Sequence, residues 1–160
     1  MVSHVRLRQV LAGYTGERPG FIEFLQEPWG KPALRGGPLT FSLSRSGGLM
    51  LLAVGQAALS LGVDVERIRA DAVVPGTPAW PEQPVTARPN PETFLRRWTA
   101  TEALLKAYGC GLAGLDRVDW MPGFPLRLRS FDGSAAEAAR WWFGELRPRP
   151  GFVGAVACRR

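Results

Sequence analysis

Four residues in two short segments have the types and spacing of a site that holds a metal ion and a phosphorylated ligand. Asp64 and Glu66 lie in residues 62–66, where alternating valines predict a strand with both carboxylates on one face. Glu102 and Lys106 lie in a segment that predicts a helix, so their side chains are one turn apart. Carboxylates that converge on a divalent cation near an ammonium group are suited to phosphoryl transfer.

Each of these pairs also has an ordinary structural explanation. An Asp-x-Glu pair is common on the solvent face of a sheet edge, because charged side chains are mostly exposed. Glu102 and Lys106 match a helix-surface ion pair that contributes about 0.2–0.5 kcal/mol. The segment Ser-Arg-Ser-Gly-Gly at 44–48 fits either an anion-binding nest or a simple turn. Only the order and spacing of the segments together favour a functional site.

The apolar pattern predicts the elements that position these residues. In the first half of the chain we expect a helix over 5–14 that ends at Gly16, then strands over 21–25, 39–43 and 59–66. The run at 49–54 fits either a buried strand or a helical segment.

The second half begins with a Pro-rich stretch at 70–89, which predicts an exposed loop. Asn90, Pro91 and Glu92 then supply an N-cap, a proline at the first helical position and an acid in the first turn. This helix is predicted to end at Gly109 and Gly111, with an inward stripe of Phe94, Trp98, Thr101, Leu105 and Tyr108. Beyond it we expect an antiparallel meander of strands at 117–120, 126–131, 141–146 and 152–158, with a short helical turn at 134–139.

Composition limits the classes of function. The 160 residues suffice for one domain or two small lobes, and the net charge of +6 suits an anionic partner. No apolar run approaches the roughly 20 residues that cross a bilayer, and the N-terminus lacks a secretory signal pattern. Cys110 and Cys158 fit neither a metal site nor a disulfide framework. We therefore expect a cytoplasmic protein without a membrane span.

The distribution of basic residues argues against nucleic-acid binding. Eighteen are Arg, and the two lysines, Lys31 and Lys106, reflect either chance or a need for a compact ammonium. The arginines are scattered rather than clustered. The tryptophans that could stack on bases fall on the helical stripe or in apolar strands, which predicts core positions for Trp98, Trp120, Trp141 and Trp142. No nucleic-acid partner is expected.

The order of four segments resembles the 4′-phosphopantetheinyl transferases, specifically their larger, surfactin-type class. The segments are Gly-Lys-Pro at 30–32, Phe-Ser-Leu-Ser-Arg-Ser-Gly-Gly at 41–48, Gly-Val-Asp-Val-Glu at 62–66, and Trp-Thr-x-x-Glu-Ala-x-x-Lys-x-x-Gly-x-Gly-Leu at 98–112. The resemblance implies an α+β fold with antiparallel sheets flanked by helices, in two lobes related by a pseudo-twofold axis. We expect a reduced first lobe at 1–58, since the family's first strands would precede Met1, and a complete second lobe at 59–160.

The resemblance also implies a reaction and its site. Coenzyme A would donate its phosphopantetheine arm to a serine of an acyl or peptidyl carrier protein in polyketide, nonribosomal peptide or fatty acid biosynthesis, releasing 3′,5′-ADP. By motif position, the ligands of Mg²⁺ would be Asp64, Glu66 and Glu102. The phosphates and nucleotide of coenzyme A would be held by Lys31, Ser44, Arg45 and Lys106. The expected catalytic set is Asp64, Glu102 and Lys106, in which Glu102 could accept the serine proton and Lys106 could neutralise phosphate charge.

Departures from the family pattern leave three functions open. Arg45 stands where the family has His, Thr101 stands where it has Lys, and residues 70–89 replace an apolar helix that helps to dock the carrier protein. The chain is then an active transferase, a relative with a different reaction or substrate, or a non-enzymatic module that binds a carrier domain or coenzyme A. A homodimer is one way in which a reduced nucleotide site could be completed.

Overall fold

The computed structural model describes residues 4–69 and 90–159, which form an α+β fold with antiparallel sheets. The helices are α1 (His4–Thr15), α2 (Pro91–Tyr108) and the short α3 (Ala135–Ala138), with 3-10 turns at Pro19–Phe21 and Gly111–Arg117. The strands are β1 (Phe24–Gln26), β2 (Pro32–Leu34), β3 (Leu39–Ser46), β4 (Leu49–Gln56), β5 (Ser60–Arg67), β6 (Val118–Trp120), β7 (Leu128–Phe131), β8 (Trp142–Leu146) and β9 (Phe152–Arg159). The fold class predicted from the sequence is confirmed. The loop predicted at 70–89 lies outside the described residues.

The first structural unit is the β3–β4 hairpin with α1 packed on it. The two strands pair along their whole length, and the connecting Gly47 and Gly48 have φ angles of 52° and 80°, which favour glycine in a tight hairpin turn. The core between helix and hairpin consists of Leu7, Leu11, Ile22 and Phe41. The helix predicted at 5–14 is confirmed, and the ambiguous run at 49–54 is a strand. The strand predicted at 21–25 is shifted: a 3-10 turn comes first, and β1 then pairs with β2.

The second unit is the sheet β5–β9–β8, with α2 across one face. The register pairs Asp64 with Ala155 and Glu66 with Val153. Both of these partners belong to the buried clusters in which α2 packs on the sheet. Residues opposite each other in antiparallel strands share a face, so both carboxylates point to the side of the sheet that α2 covers.

Gly62 allows α2 to approach β5 closely. A Cβ atom at this position would lie 1.9 Å from the backbone oxygen of Ala103 and 2.5 Å from the backbone nitrogen of Ala107. Because both atoms belong to the helix backbone, only glycine fits without moving the helix. Ala103 and Ala107 directly follow Glu102 and Lys106 in the sequence, so this contact brings those two side chains next to β5.

The ends of α2 match the sequence prediction. The Asn90 side chain accepts a hydrogen bond from the Glu92 N–H at 2.9 Å, and Gly109 ends the helix with a φ of 86°. The predicted inward stripe is buried at Phe94, Trp98, Thr101 and Leu105.

Tyr108 was predicted in the inward stripe of α2 but is 38% exposed. It is the last residue of the helix, and its ring packs edge-on against Phe131 where the core meets the surface.

The predicted four-stranded meander is wrong. Strands β6 and β7 form a separate two-stranded sheet, and α3 intervenes before β8 and β9. Strand β9 instead uses its second edge to pair with β5, which is distant in sequence. Trp142 is also not in the core: it is 59% exposed, because it lies on the outermost strand and on the face turned away from α2, where its ring lies over Gly144. Trp120 and Trp141 are buried as predicted.

No helix in the described parts of the chain has the length and apolar character needed to cross a membrane. The pseudo-twofold relation between 1–58 and 59–160 stays a prediction.

Candidate active site

Asp64 is the centre of the site. Its side chain is 2% exposed, and its Oδ1 accepts hydrogen bonds from Ser44 Oγ at 2.6 Å and from Lys106 Nζ at 2.5 Å. Its Oδ2 is buried and has no hydrogen-bond partner among the described residues. Burial raises the pKa of Asp64, against the opposing effects of Lys106 and of the hydrogen bonds. A buried carboxylate oxygen without a donor is rare in folded proteins, and it is a position where a cation can bind.

Lys106 lies between two carboxylates. Besides the bond to Asp64, its Nζ is 3.3 Å from Glu102 Oε2. Burial alone would lower the pKa of Lys106, but Asp64 and Glu102 together outweigh it and raise this pKa. The ammonium is therefore held in its charged form, where it compensates both acids.

Glu102 lies one helical turn before Lys106, and its carboxylate faces the Lys106 ammonium. Burial raises its pKa, and repulsion from Asp64 and Glu66 acts in the same direction, whereas Lys106 opposes the shift. The repulsion means that the three carboxylates predicted as metal ligands lie close enough to interact electrostatically.

Glu66 is nevertheless turned toward another partner. Its Oε2 accepts a hydrogen bond from Ser46 Oγ at 2.7 Å, whereas Asp64 and Glu102 both contact Lys106. Within residues 4–69 and 90–159, no three acidic, histidine or cysteine side chains form a ready-made cation site. The Lys106 ammonium occupies the space between two of the acids, so the common metal site for Asp64, Glu66 and Glu102 stays a prediction.

A cleft of about 290 Å³ opens onto this group. Its lining includes Glu102 and Lys106 from α2, Trp29 and Lys31 from the segment before β2, and Leu112 from the 3-10 turn after α2. The Lys31 ammonium donates to the Leu61 backbone oxygen at 3.1 Å, and burial lowers its pKa even though Glu27 opposes the shift. Both lysines of the chain thus border the same cleft.

Trp29 and Leu112 give the cleft an apolar rim. They are 63% and 54% exposed, so the mouth of the cleft is lined by large apolar side chains in contact with solvent. Sequence reasoning assigned no role to Trp29, because a single exposed aromatic gives no such signal, and it included Leu112 only as the last residue of the motif at 98–112.

Arg45 is not brought to the carboxylates. It lies between Ser44 and Ser46 on β3 and is exposed. Side chains alternate along a strand, so it points to the other face of β3 from these two serines. Its predicted contact with coenzyme A stays a prediction.

Thr101 precedes Glu102 but faces the core instead of the cleft. It is 2% exposed, accepts a hydrogen bond from Trp120 Nε1 at 2.9 Å and donates to the Arg97 backbone oxygen at 2.9 Å. A threonine at the family's usual lysine position thus serves the packing of α2.

Three serines of β3 bind the backbone of β5, and we call them with their β5 partners the serine seam. The hydroxyls of Ser42, Ser44 and Ser46 accept the N–H groups of Val63, Val65 and Arg67 at 3.0, 3.2 and 3.0 Å. Sequence analysis gave a role of its own to Ser44 only and included Ser42 and Ser46 merely as parts of the segments at 41–48 and 44–48. The signal was present as serines at every second position, which share one face of a strand, but the strand predicted at 39–43 ended before Ser44 and Ser46, whereas β3 extends to Ser46.

This fold and site define a class of protein. A family model of the 4′-phosphopantetheinyl transferase superfamily matches residues 60–157, and the chain belongs to this superfamily. Members of the superfamily use coenzyme A as a substrate and act on carrier proteins. The resemblance noted from the sequence is confirmed at this level, and the surfactin-type class stays a prediction.

The chain is similar to the 4′-phosphopantetheinyl transferase HetI from Nostoc sp. (strain PCC 7120 / SAG 25.82 / UTEX 2576). The two are 33% identical over an alignment of 165 positions. The alignment covers 94% of this chain, which spans 66% of the relative's length.

Proposed function

We propose that this protein transfers the 4′-phosphopantetheine arm of coenzyme A to a serine hydroxyl of an acyl or peptidyl carrier protein. The observation that carries the proposal is the placement of Lys106 between Asp64 and Glu102, at the wall of a cleft that Lys31 also borders. An ammonium group between two carboxylates, with a second ammonium group at the same cleft, suits a ligand that carries several phosphates and a metal ion. Membership of the superfamily supports the same conclusion.

The donor atoms fit Mg²⁺. Asp64, Glu66 and Glu102 offer only oxygen, which Mg²⁺ prefers, and the Asp64 Oδ2 atom lacks a partner among the described residues. These three residues would hold the ion together with phosphate oxygens and water. When bound, Mg²⁺ supplies positive charge to the pyrophosphate of coenzyme A.

The residues of the chain have separate roles in the transfer. Lys106 donates hydrogen bonds to the phosphates and neutralises the charge that develops on the leaving 3′,5′-ADP. Glu102 accepts the proton of the attacking serine, directly or through a water molecule, and burial makes its carboxylate a stronger base by raising its pKa. One phosphorus–oxygen bond forms to the serine while the pyrophosphate bridge breaks, so no oxidant or further reactant is needed.

The remaining contacts concern the nucleotide and the partner. Lys31 and Arg45 bind the phosphates at the nucleotide end of coenzyme A. Ser44 directly precedes Arg45 in the motif at 41–48. The +6 charge of the chain favours an acidic carrier helix. The proposal also places the protein in the cytoplasm and in the surfactin-type class, and it takes a homodimer as the form of assembly that completes the nucleotide site.

The test is incubation of the protein with coenzyme A, Mg²⁺ and a panel of apo carrier proteins, followed by intact mass measurement. We expect a gain of roughly 340 Da on the accepted carriers, the mass of the arm that phosphoryl transfer delivers. A carrier whose acceptor serine is changed to alanine should gain no mass. Under conditions in which wild type modifies the carrier, Glu102→Gln should give no transfer.

Failure would point to one of the other two functions. If no carrier gains mass while coenzyme A or a carrier still binds in calorimetry, the chain is a binding module or a relative with another reaction. Equal modification of carriers by wild type and Glu102→Gln would also reject the role assigned to Glu102.

A further inference from the structure

The serine seam joins two sheets in an unusual way. Strands β3 and β5 lie side by side but belong to different sheets, and serine hydroxyls accept three alternate N–H groups of β5. A backbone carbonyl in this place could only accept. A hydroxyl that accepts an N–H still has its own proton to donate.

Two of the three serines use that proton on a carboxylate. Ser44 donates to Asp64 Oδ1 at 2.6 Å, and Ser46 donates to Glu66 Oε2 at 2.7 Å. Ser42 makes the same contact to the strand, through the Val63 N–H, but no carboxylate of the described residues accepts its proton. Ser44 and Ser46 therefore each bind both the β5 backbone and a carboxylate, whereas Ser42 binds the backbone only.

We propose that Ser44 and Ser46 are positioning residues that fix the carboxylates of Asp64 and Glu66 for the metal ion. The inference rests on the proposed function, since that function gives the carboxylates their ligand. Each hydroxyl is anchored by a backbone N–H of β5, so it cannot rotate freely, and it binds one oxygen of its carboxylate. The second oxygen of Asp64 is thereby left without a partner in the described part of the chain, available to a cation.

This role differs from a direct contact between Ser44 and coenzyme A. Ser44 is 7% exposed, and its hydroxyl is already engaged as acceptor from Val65 and donor to Asp64. Its effect on the ligand is exerted through Asp64. Hydrogen bonds from outside the ligand shell orient metal-binding carboxylates, and removing such a bond typically weakens metal affinity by about 10–100-fold.

The experiment compares Ser42→Ala, Ser44→Ala and Ser46→Ala in the full chain. Mn²⁺ binding is measured by electron paramagnetic resonance at saturating coenzyme A, because Ser42 also lines the cleft, and the free energy of unfolding is measured in urea. We expect all three variants to lose stability, because each loses a bond of the seam. Only Ser44→Ala and Ser46→Ala should lose Mn²⁺ affinity, by roughly 10-fold or more, while Ser42→Ala stays within about twofold of wild type.

A conservative variant protects the test against simple misfolding. Ser46→Thr keeps the hydroxyl on a half-buried site and should restore Mn²⁺ affinity to nearly that of wild type. Equal losses of affinity in all three alanine variants, or no loss in any, would overturn the inference, as would absence of Mn²⁺ binding by wild type. Carrier modification is measured separately: if it fails while the affinity pattern holds, the proposed transfer reaction is wrong and the positioning role stands.

Discussion

Lys106 supplies the positive charge that Asp64 and Glu102 need while no metal ion is bound. Its Nζ lies 2.5 Å from Asp64 Oδ1 and 3.3 Å from Glu102 Oε2. An ammonium in this position competes with a metal ion for the same oxygens. Arrival of a pyrophosphate gives Lys106 another anionic partner, so binding of coenzyme A and of the metal should support each other.

The first prediction is that Lys106→Met separates these two effects. Coenzyme A should bind more weakly by about 1.5–3 kcal/mol, the range for hydrogen bonds to charged groups. Mn²⁺ should bind more tightly than to wild type when coenzyme A is absent, because the competing charge is gone. Calorimetric titration with each ligand alone measures both.

Lys31→Met is the matched control for this prediction. Lys31 borders the same cleft, but its ammonium contacts the Leu61 backbone oxygen. Loss of the Lys31 ammonium should weaken the binding of coenzyme A without strengthening the binding of Mn²⁺. Weaker Mn²⁺ binding by Lys106→Met in the absence of coenzyme A would contradict the competition.

The second prediction concerns Glu102→Gln and pH. A carboxyl whose pKa is raised in the folded protein opposes folding when it is ionised. This penalty is full above the raised pKa and absent below the ordinary value of 4.5. Point substitutions typically lower the free energy of unfolding by about 1 kcal/mol. At neutral pH Glu102→Gln should instead be as stable as wild type or more stable, because it lacks this penalty. Its transfer activity should be lost.

Urea unfolding of both proteins checks the sign. The advantage of Glu102→Gln should shrink as the pH falls toward about 4, where Glu102 becomes protonated in both states. An advantage that grows at acid pH would mean that the pKa of Glu102 is lowered in the folded protein.

At the scale of elements, the close contact between α2 and β5 sets the geometry of the site. Gly62 faces the backbone of Ala103 and Ala107. Asp64 lies two residues further along the strand, and Glu102 and Lys106 directly precede the two alanines. The distance between helix and strand is thus fixed by backbone atoms, which cannot adjust as a flexible side chain can.

The third prediction is that Gly62→Ala damages both fold and site. The added methyl group must displace the helix, with an expected cost of about 1–3 kcal/mol or more for overpacking. Gly13→Ala is the control of opposite sign: nothing lies within 4 Å of its Cβ position, and alanine within a helix stabilises by roughly 0.5–1 kcal/mol. Urea unfolding gives both values, and a Gly62→Ala protein as stable as wild type would show that the contact is not tight.

Local sequence signals predicted most single elements but not their long-range pairing. The cap at Asn90, the glycine at Gly109 and the alternation around Asp64 depend on neighbours in sequence, and all three matched the structure. The pairing of β5 with β9 joins strands that are far apart in the chain, and apolar alternation does not specify a partner strand. The exposure of Trp142 follows from its place on an outer strand and was therefore missed as well.

The site could be predicted by residue type but not by contact. Order and spacing identified Asp64, Glu66, Glu102 and Lys106 as one group. That Lys106 rather than Glu66 approaches Asp64 depends on the register of α2 against β5, which the periodicity of either element leaves undetermined. The second function of Ser46 likewise requires β3 to lie beside β5.

At the scale of the whole molecule, the excess of arginine should govern the encounter with a carrier protein. The chain carries a net charge of +6, and opposite charges raise association rates over distances of about one Debye length. The fourth prediction is that kcat/KM for an acidic carrier falls steeply as ionic strength rises from about 0.01 to 1 M, over which the Debye length drops from roughly 30 to 3 Å.

Coenzyme A is itself anionic, so its binding is measured alone by calorimetry over the same range as a control. The decline in kcat/KM should persist when coenzyme A is saturating, and it should be smaller for a carrier whose acidic helix residues are neutralised. Salt-independent transfer under saturation would exclude electrostatic steering of the carrier.

The serine seam gives β5 two kinds of amide proton. The N–H groups of Val63, Val65 and Arg67 end on hydroxyls of β3, while those between them point to β9 within the sheet. Hydrogen–deuterium exchange along this one strand therefore reports two boundaries residue by residue. Odd-numbered amides exchange when the β3–β4 hairpin separates from β5, and even-numbered amides exchange when β5 separates from β9. Exchange rates along the strand therefore show whether the two units of the protein open separately or together.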